Sequence, residues 1–469
     1  MMELENYHAF HFVGLGGVGM CALARILIEK GITVSGSDVS DSAVLQELRN
    51  KGAAVFIGHK RENINNADVL VVSSAIGIDN PELQEAKSRD LPIFHRSDVL
   101  AAIFKWGKGI AVAGAHGKST TSAMIGQIFH VAKMDPTIVL GGFTDYLKGN
   151  SCLGHGEHII AEADESDGSF LKFATFLSVV TNIEDDHLDH YGTVENIRKA
   201  FVEFLNHVTY KDGGAIVCTD SEGVQAILPQ IKKKVISFGI NDSAEYRAVN
   251  KRYEKQNMLF DVYHYKEKLG TVSLQIPGIH NVRDALGAIV VALYCGISFE
   301  TSVKALSVFS GVKRRFQTKM KEHGVWIVDD YAHHPTEIAA TLKAAKEMGR
   351  HRVICAFQPH RYSRTKLLRE EFSEAFIDAD VLFFTDIYAA GESPIQGIDG
   401  TLIPNLVKRR FPDKPINYVK NVEDLPKELY KVIKPDDMLI TMGAGNIYMA
   451  GEMLANLMKG KGLSSDYKK

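Results

Sequence analysis

Three stretches of the chain combine the residue types that phosphate chemistry needs. The first of these is Gly114-Ala115-His116-Gly117-Lys118-Ser119-Thr120-Thr121, which stands between an apolar strand pattern and a helical one. Glycine-rich turns expose backbone N–H groups that cradle phosphate oxygens, a lysine neutralises the β and γ oxygens, and a hydroxyl can ligate magnesium. The nucleotide-binding candidates are therefore Gly114, His116, Gly117, Lys118, Ser119 and Thr120, with Lys118 also catalytic and Ser119 a metal ligand. The strict phosphate-loop pattern requires glycine at position 112, where this chain has Val112, so the loop is a variant whose glycine precedes the lysine by four residues. A turn with purely structural glycines is the alternative, and it leaves the order of strand, turn, lysine, hydroxyl and helix unexplained.

The second stretch, Glu162-Ala163-Asp164-Glu165-Ser166-Asp167, follows apolar Ile159-Ile160-Ala161. A hard cation that bridges ATP phosphates prefers carboxylate oxygens at a strand end, which makes Glu162 a metal candidate beside the bland alternative of a solvated acidic turn. His187, in Thr181-Asn182-Ile183-Glu184-Asp185-Asp186-His187, is either a further metal ligand or a capping neighbour in an aspartate-rich turn. The third stretch is Gly14-Leu15-Gly16-Gly17-Val18-Gly19, between a strand and a helix that begins near Met20. Such a turn lets the backbone approach a diphosphate, and Asp38, nineteen residues after Gly19, stands where a ribose hydroxyl would be accepted. Gly14, Gly16, Gly17, Gly19, Asp38 and Ser74 are the substrate-binding candidates for a dinucleotide or a UDP-sugar, with a plain tight turn as the alternative.

The elements that position these residues repeat. Three times the sequence restarts with an apolar strand that runs into a helical pattern, at His11-Phe12-Val13-Gly14, at Gly109-Ile110-Ala111-Val112-Ala113-Gly114 and at Val325-Trp326-Ile327-Val328-Asp329-Asp330. With 469 residues and about 150 per domain, an α/β chain of three domains is expected: 1–106, 107–311 and 312–469. The outer two read as Rossmann-like and the central one as a phosphate-loop ATPase domain. Between 213 and 276 short β-branched and aromatic runs predict a β-rich insertion into the central domain.

Composition narrows the function classes. Hydrophobic residues at 45% and charged residues at 24% suit a globular chain with a large interior. A net charge of -3 gives no basic face for nucleic acid. Five scattered cysteines with no paired spacing read as reduced, buried thiols. No basic start leads into an apolar stretch and no 18 apolar residues run together, so the expectation is a cytoplasmic protein without membrane insertion.

Further blocks occur in order: Pro277-Gly278-Ile279-His280-Asn281, Lys313-Arg314-Arg315-Phe316, Asp329 to Glu337, Phe357-Gln358-Pro359-His360-Arg361-Tyr362-Ser363-Arg364-Thr365 and Gly443-Ala444-Gly445-Asn446. Together with the loops above, they resemble the Mur ligase family over nearly the whole chain. That resemblance implies ATP and Mg2+ as cofactors, UDP-N-acetylmuramate and L-alanine as partners, and an acid–amino-acid ligation through an acyl phosphate. It implies that Lys118 holds ATP phosphates and that Ser119 and Glu162 meet one metal, while His187 with Glu162 meets another. Asn281 would lie at the adenine, Arg315 and Asp330 would close the nucleotide site, and His333, Arg361 and Arg364 would surround the amino acid. The first glycine-rich loop would take UDP rather than NAD.

Two positions depart from the family pattern: Ser119 stands where threonine is frequent, and Asp284 where asparagine is usual. Serine keeps the hydroxyl, whereas an ionised Asp284 can only accept hydrogen bonds. His333 is expected to accept the amine proton or to position it, with helix capping as the alternative, and a hinge is expected near Gly311. A monomer or a homodimer is compatible with the sequence. Rival readings are a ligase of the same family that attaches a whole peptide, a regulator that senses UDP-sugars, and an NAD-dependent dehydrogenase, which leaves the Lys118 loop without a purpose.

Overall fold

The computed structural model describes residues 2–185, 188–254, 256–322, 324–349 and 352–460. The chain divides into two compact units. One holds residues 1–251, 259–273 and 282–310, and the other holds 252–258, 274–281 and 311–469.

The first unit contains two sheets. The smaller comprises β1 (Ala9–Val13), β2 (Thr33–Asp38), β3 (Ala54–Ile57), β4 (Val69–Val72) and β5 (Ile93–His95), in the order β3-β2-β1-β4-β5 with all strands parallel. Its central strand is buried along Phe10, Phe12 and Val13, as a parallel strand covered on both faces requires. The chain reverses its direction of strand addition between β1 and β4, and ligands of such sheets bind at the carboxyl ends of the strands at that point.

The larger sheet comprises β6 (Lys108–Ala113), β7 (Thr137–Thr144), β8 (Gly149–Cys152), β9 (His158–Glu162), β10 (Leu177–Val180), β11 (Gly214–Cys218), β12 (Val235–Gly239), β13 (Tyr246–Glu254), β14 (Asn257–His264) and β15 (Glu267–Leu274). Its order, β15-β14-β13-β12-β11-β10-β6-β9-β7-β8, places β6 between β10 and β9, again a reversal point. The β-rich segment read from the sequence is the continuation of this sheet: β11 and β12 extend it in parallel and carry the helix Glu222–Ile227 between them. Strand alternation in a sequence does not reveal which neighbour a strand chooses.

The two sheets share one core. Phe104, at the end of the helix Arg96–Phe104, stacks on Phe173 with ring centroids 4.9 Å apart. Buried Arg25 donates to Asn150 Oδ1 at 2.8 Å and Ser151 Oγ at 3.0 Å on β8, and also pairs with Glu47 at 2.8 Å. A guanidinium that is 3% exposed stays charged only because those acceptors and the carboxylate replace its water.

The second unit carries a sheet of β16 (Gln317–Glu322), β17 (Val325–Asp330), β18 (Arg352–Phe357), β19 (Val381–Phe384), β20 (Ile416–Tyr418) and β21 (Asp437–Met442), ordered β16-β17-β21-β18-β19-β20. Only β16 runs antiparallel. The loops after β17, β21 and β18 therefore open on the same sheet edge. No helix among the described residues is long and apolar enough to cross a membrane.

Candidate active site

Strand β6 ends at Ala113 and the helix Lys118–Val131 begins five residues later, with Gly117 as its N-cap at φ +85°. Gly114 has φ +134°, and both values favour glycine because a Cβ would strain the backbone. The turn is held from the neighbouring strand end: Thr181 Oγ1 and Asn182 Nδ2 donate to His116 O at 2.6 and 2.8 Å, and His116 N donates to Asn182 Oδ1 at 3.0 Å. A side chain at Gly117 would collide with the Asp284 carboxylate, which places the family-departing aspartate directly against the loop. Asp284 is 5% exposed.

Lys118 Nζ donates to Gly114 O at 2.5 Å and to Glu165 Oε1 at 2.7 Å. Burial penalises the ammonium, yet the carboxylates of Glu165, Glu162 and Asp164 outweigh that cost and hold its pKa above the ordinary lysine value. Ser119 Oγ donates to Glu162 Oε2 at 2.7 Å, so the two candidate metal ligands converge beside the lysine. A hydroxyl and a carboxylate form a hard oxygen set that suits magnesium, which keeps several waters and takes few protein ligands. Gly141 on β7 leaves room for Glu162, since any side chain there would overlap the carboxylate. Thr120 is buried in the first helical turn. His187 lies outside the described residues.

The first glycine-rich loop is built differently. Gly14 N and Leu15 N donate to Ser37 O at 2.8 and 2.9 Å, and the helix Val18–Glu29 starts two residues earlier than its apolar pattern predicts, capped by Gly17 with no side chain. The N–H groups of such a first turn have no intrahelical partner and carry positive partial charge. Asp38 turns toward the loop: Oδ2 accepts from Gly16 N at 2.9 Å and Oδ1 from Val39 N at 2.8 Å. Gly19 packs against Arg96, and Ser74 is exposed in the turn after β4. Beneath the loop, buried Glu82 accepts from Ser37 Oγ and Asn63 Nδ2, each at 2.5 Å, with His59 Nδ1 3.2 Å away.

In the second unit Asp330 closes β17. Its oxygens accept from Phe316 N at 2.8 Å and Ala332 N at 2.7 Å, and burial raises its pKa to about 6. Arg315 lies 3.3 Å from Glu337 Oε1. Glu337 also accepts from His333 N at 3.1 Å and completes a capping box with His334 at the helix Pro335–Glu347. Burial, reinforced by Arg364 and Arg315, takes His333 down to about 4 against the pull of Glu337. The imidazole is therefore neutral at physiological pH, and its depressed pKa makes it a weak base. Its ring centroid lies 5.8 Å from that of His360, which stacks on Tyr388 at 5.7 Å and stands 3.4 Å from Arg364 Nη1. Arg361 has φ +67° and ψ 139°, a strained backbone that costs about 1–3 kcal/mol, with its N–H bound to Tyr388 O at 2.9 Å. Buried Asn281 donates to Pro277 O at 2.5 Å.

The structure thus gathers Gly114, His116, Gly117, Lys118, Ser119 and Glu162 in the first unit, and His333, Arg361 and Arg364 in the second. Sequence reading passed over Glu165, Arg96, Glu337 and Arg314. Arg314 lies between the rings of Tyr331 and Tyr448 at 4.9 and 4.7 Å and donates to Gly443 O at 2.6 Å. The histidine at position 334 followed three residues later by glutamate is a readable capping signal, whereas nothing local marks the other three.

Known proteins share this arrangement. Models of the "Mur ligase family, catalytic domain", the "Mur ligase middle domain" and the "Mur ligase, glutamate ligase domain" match residues 9–106, 112–292 and 314–445. A UDP-N-acetylmuramate–L-alanine ligase of Geobacter sp. strain M21 is 46% identical over 450 residues, covering 96% of this chain and 97% of its own, and one of Geotalea uraniireducens is 45% identical over 96% and 98%. The crystal structure of UDP-N-acetylmuramate-alanine ligase from Thermotoga maritima superposes with a TM-score of 0.83 at 27% identity, covering 96% of this chain and 99% of that one. With both glycine-rich loops, three predominantly parallel sheets and family models along most of its length, the chain belongs to the Mur ligase family.

Proposed function

We propose that the chain joins L-alanine to the lactyl carboxylate of UDP-N-acetylmuramate at the expense of ATP, the first amino-acid addition in peptidoglycan precursor synthesis. The carrying observation is the Lys118 loop with its carboxylate partners: Glu165 on the ammonium at 2.7 Å and Glu162 on the Ser119 hydroxyl at 2.7 Å. Relatives at 44–46% identity that bear the alanine-ligase name support the amino acid over a whole peptide.

A carboxylate repels nucleophiles and has no viable leaving group. Transfer of the γ-phosphoryl of ATP to a carboxylate oxygen breaks the β–γ bridge, releases ADP and gives an acyl phosphate. Lys118 holds the transferring oxygens through charge, and the loop N–H groups fix them in line. Magnesium held by Ser119 and Glu162 would supply charge neutralisation between the β and γ oxygens. The alanine amine then attacks the acyl carbon, phosphate departs, and the amine proton passes to an acceptor. His333 is the candidate to accept or position that proton, its depressed pKa favouring the positioning role, and Arg361 and Arg364 offer paired donors to the alanine carboxylate. Asp38 has acceptor capacity left beside its bonds to Gly16 N and Val39 N, so in this reading it shapes the loop and also receives a ribose hydroxyl.

The reading assigns UDP-sugar to residues 1–106, ATP to 107–311 and the amino acid to 312–469, in a cytoplasmic monomer or homodimer with hinge motion near Gly311. The test is ADP release from ATP and magnesium with UDP-N-acetylmuramate and a panel of free amino acids, with mass spectrometry of the product. Alanine amide and stoichiometric ADP are expected. No ADP with any amino acid overturns the ligase reading, and amide formation only with a peptide overturns the alanine assignment.

A further inference from the structure

The first turn of the helix Arg96–Phe104 meets the first glycine-rich loop at Gly19 and the acidic stretch Glu162–Asp167 at Asp164. Arg96 Nη2 donates to Asp164 Oδ2 at 2.6 Å, while a Cβ added at Gly19 would lie 3.2 Å from Nη1. One arm of the guanidinium therefore faces the first loop, and the other binds the acidic stretch that contacts the second. Asp164 uses its other oxygen for Ser166, accepting from N at 3.1 Å and Oγ at 2.7 Å, which locks the acidic stretch into its turn. Within four residues that stretch holds Ser119 through Glu162 and Lys118 through Glu165. Three more contacts tie the same turn to the acidic stretch and the short helix Ser169–Lys172 that follows it: Lys172 Nζ donates to Ser97 Oγ at 2.9 Å and Asp98 Oδ1 at 2.7 Å, and His95 Nε2 lies 3.9 Å from Asp167.

We propose that Arg96 is a positioning residue that couples the two loops, so that an anionic UDP-sugar at the first loop and ATP at the second each strengthen the other's binding. The inference rests on the assignment of UDP-sugar and ATP to those loops. An anion at the start of the helix Val18–Glu29 attracts the Nη1 arm and fixes the guanidinium, and the fixed guanidinium holds Asp164 and with it the carboxylates on Lys118 and Ser119. The pair is a quarter to a third exposed, with side chains at 25% and 34%, so it is ordered enough to transmit and accessible enough to respond. Arginine suits the task because its rigid fork serves two partners at once, whereas lysine is a single point charge. Coupling of this kind is reciprocal.

The test is calorimetric binding of UDP-N-acetylmuramate to the full chain with magnesium, with and without a non-hydrolysable ATP analogue. In the wild type the analogue is expected to tighten binding at least fivefold. In R96Q the gain falls to less than twofold while the analogue alone binds within threefold of wild type, and R96K keeps an intermediate gain. D164N, which leaves the arginine in place, is expected to lose the gain as well and serves if R96Q fails to fold. A wild-type gain below twofold, or an R96Q and D164N gain equal to wild type, overturns the coupling. A wild type that binds no UDP-N-acetylmuramate overturns the assignment of the first loop itself and the coupling with it.

Discussion

The two glycine-rich loops share a local plan and differ in charge. Each follows the central strand of a parallel sheet at a reversal point and each opens a helix. Around Gly114–Ser119 a lysine and a hydroxyl are already bound to carboxylates, at 2.7 Å in both cases. Around Gly14–Gly19 there is no cation within the loop, and the carboxylate of Asp38 occupies one of its N–H groups. A triphosphate with its metal needs a built-in positive charge and a carboxylate to share the cation. A diphosphate within a larger ligand needs mainly the backbone, with contacts elsewhere on the ligand adding affinity. In the proposed reading the same fold element supports chemistry in one place and retention in the other, and the distinction lies in a few side chains.

The comparison breaks most sharply at Lys118. Lys118→Ala removes the charge that steadies the transferring phosphoryl and leaves Glu165 buried without its cation. A loss of about a thousandfold in kcat is expected, with KM for UDP-N-acetylmuramate nearly unchanged, as steady-state ADP release would measure. A comparable fall in both parameters would mean that the two loops do not divide the labour in this way. Next in size is the hydroxyl. Ser119→Ala is expected to cost about thirtyfold at low magnesium and less at saturating magnesium, whereas Ser119→Thr keeps the ligand atom and stays within about threefold of wild type. A magnesium titration of the three proteins decides it.

On the other loop the expected effects are smaller. Asp38→Ala frees Gly16 N and removes the shaping contact, which is expected to raise KM for UDP-N-acetylmuramate about fivefold and leave KM for ATP alone, since a hydrogen bond to a charged group contributes about 1.5–3 kcal/mol and water recovers part of it. Equal shifts in both KM values would show that Asp38 acts through the whole unit rather than through its loop.

What the sequence disclosed follows the same division. The Lys118 loop is legible because its glycines, lysine and hydroxyl are neighbours, and local spacing alone dictates the turn. Which carboxylate meets which partner is not legible, since Glu162 ends β9 while Glu165 lies in the irregular segment after it, and the acidic run reads alike throughout. That the Asp38 carboxylate also holds Gly16 N is not marked by its place at the end of a strand, because the contact depends on the loop's own N–H. Arg96 and Asp164 stand 68 residues apart, and no periodicity marks such a pair. The long β-rich stretch was visible as strands, yet its pairing with the central sheet depends on neighbours that alternation does not name.

The smallest effect on turnover, and the cleanest on stability, belongs to Glu82 beneath the first loop. Burial alone would raise its pKa, but the His11 ring 3.7 Å away and the hydrogen bonds from Ser37 and Asn63 outweigh burial and bring it down to about 2 from an ordinary 4.5. A carboxyl with a lowered folded-state pKa stabilises the fold above its unfolded value, and that stabilisation is lost as pH falls from about 4.5 toward 2. At neutral pH the contribution is about 3 kcal/mol on the scale of 1.36 kcal/mol per unit. Glu82→Gln keeps the shape and removes the titration, so its urea midpoint at pH 7 should fall while its decline between pH 5 and pH 3 becomes shallower than that of wild type. Ser37, which donates to Glu82 through its hydroxyl, receives Gly14 N and Leu15 N through its carbonyl, so the same substitution should weaken UDP-N-acetylmuramate binding by no more than about threefold and spare the Lys118 loop. Parallel acid limbs for the two proteins would place the acid sensitivity of this unit elsewhere, and a KM for ATP that changes even at saturating UDP-N-acetylmuramate would show that Glu82 acts beyond the first loop.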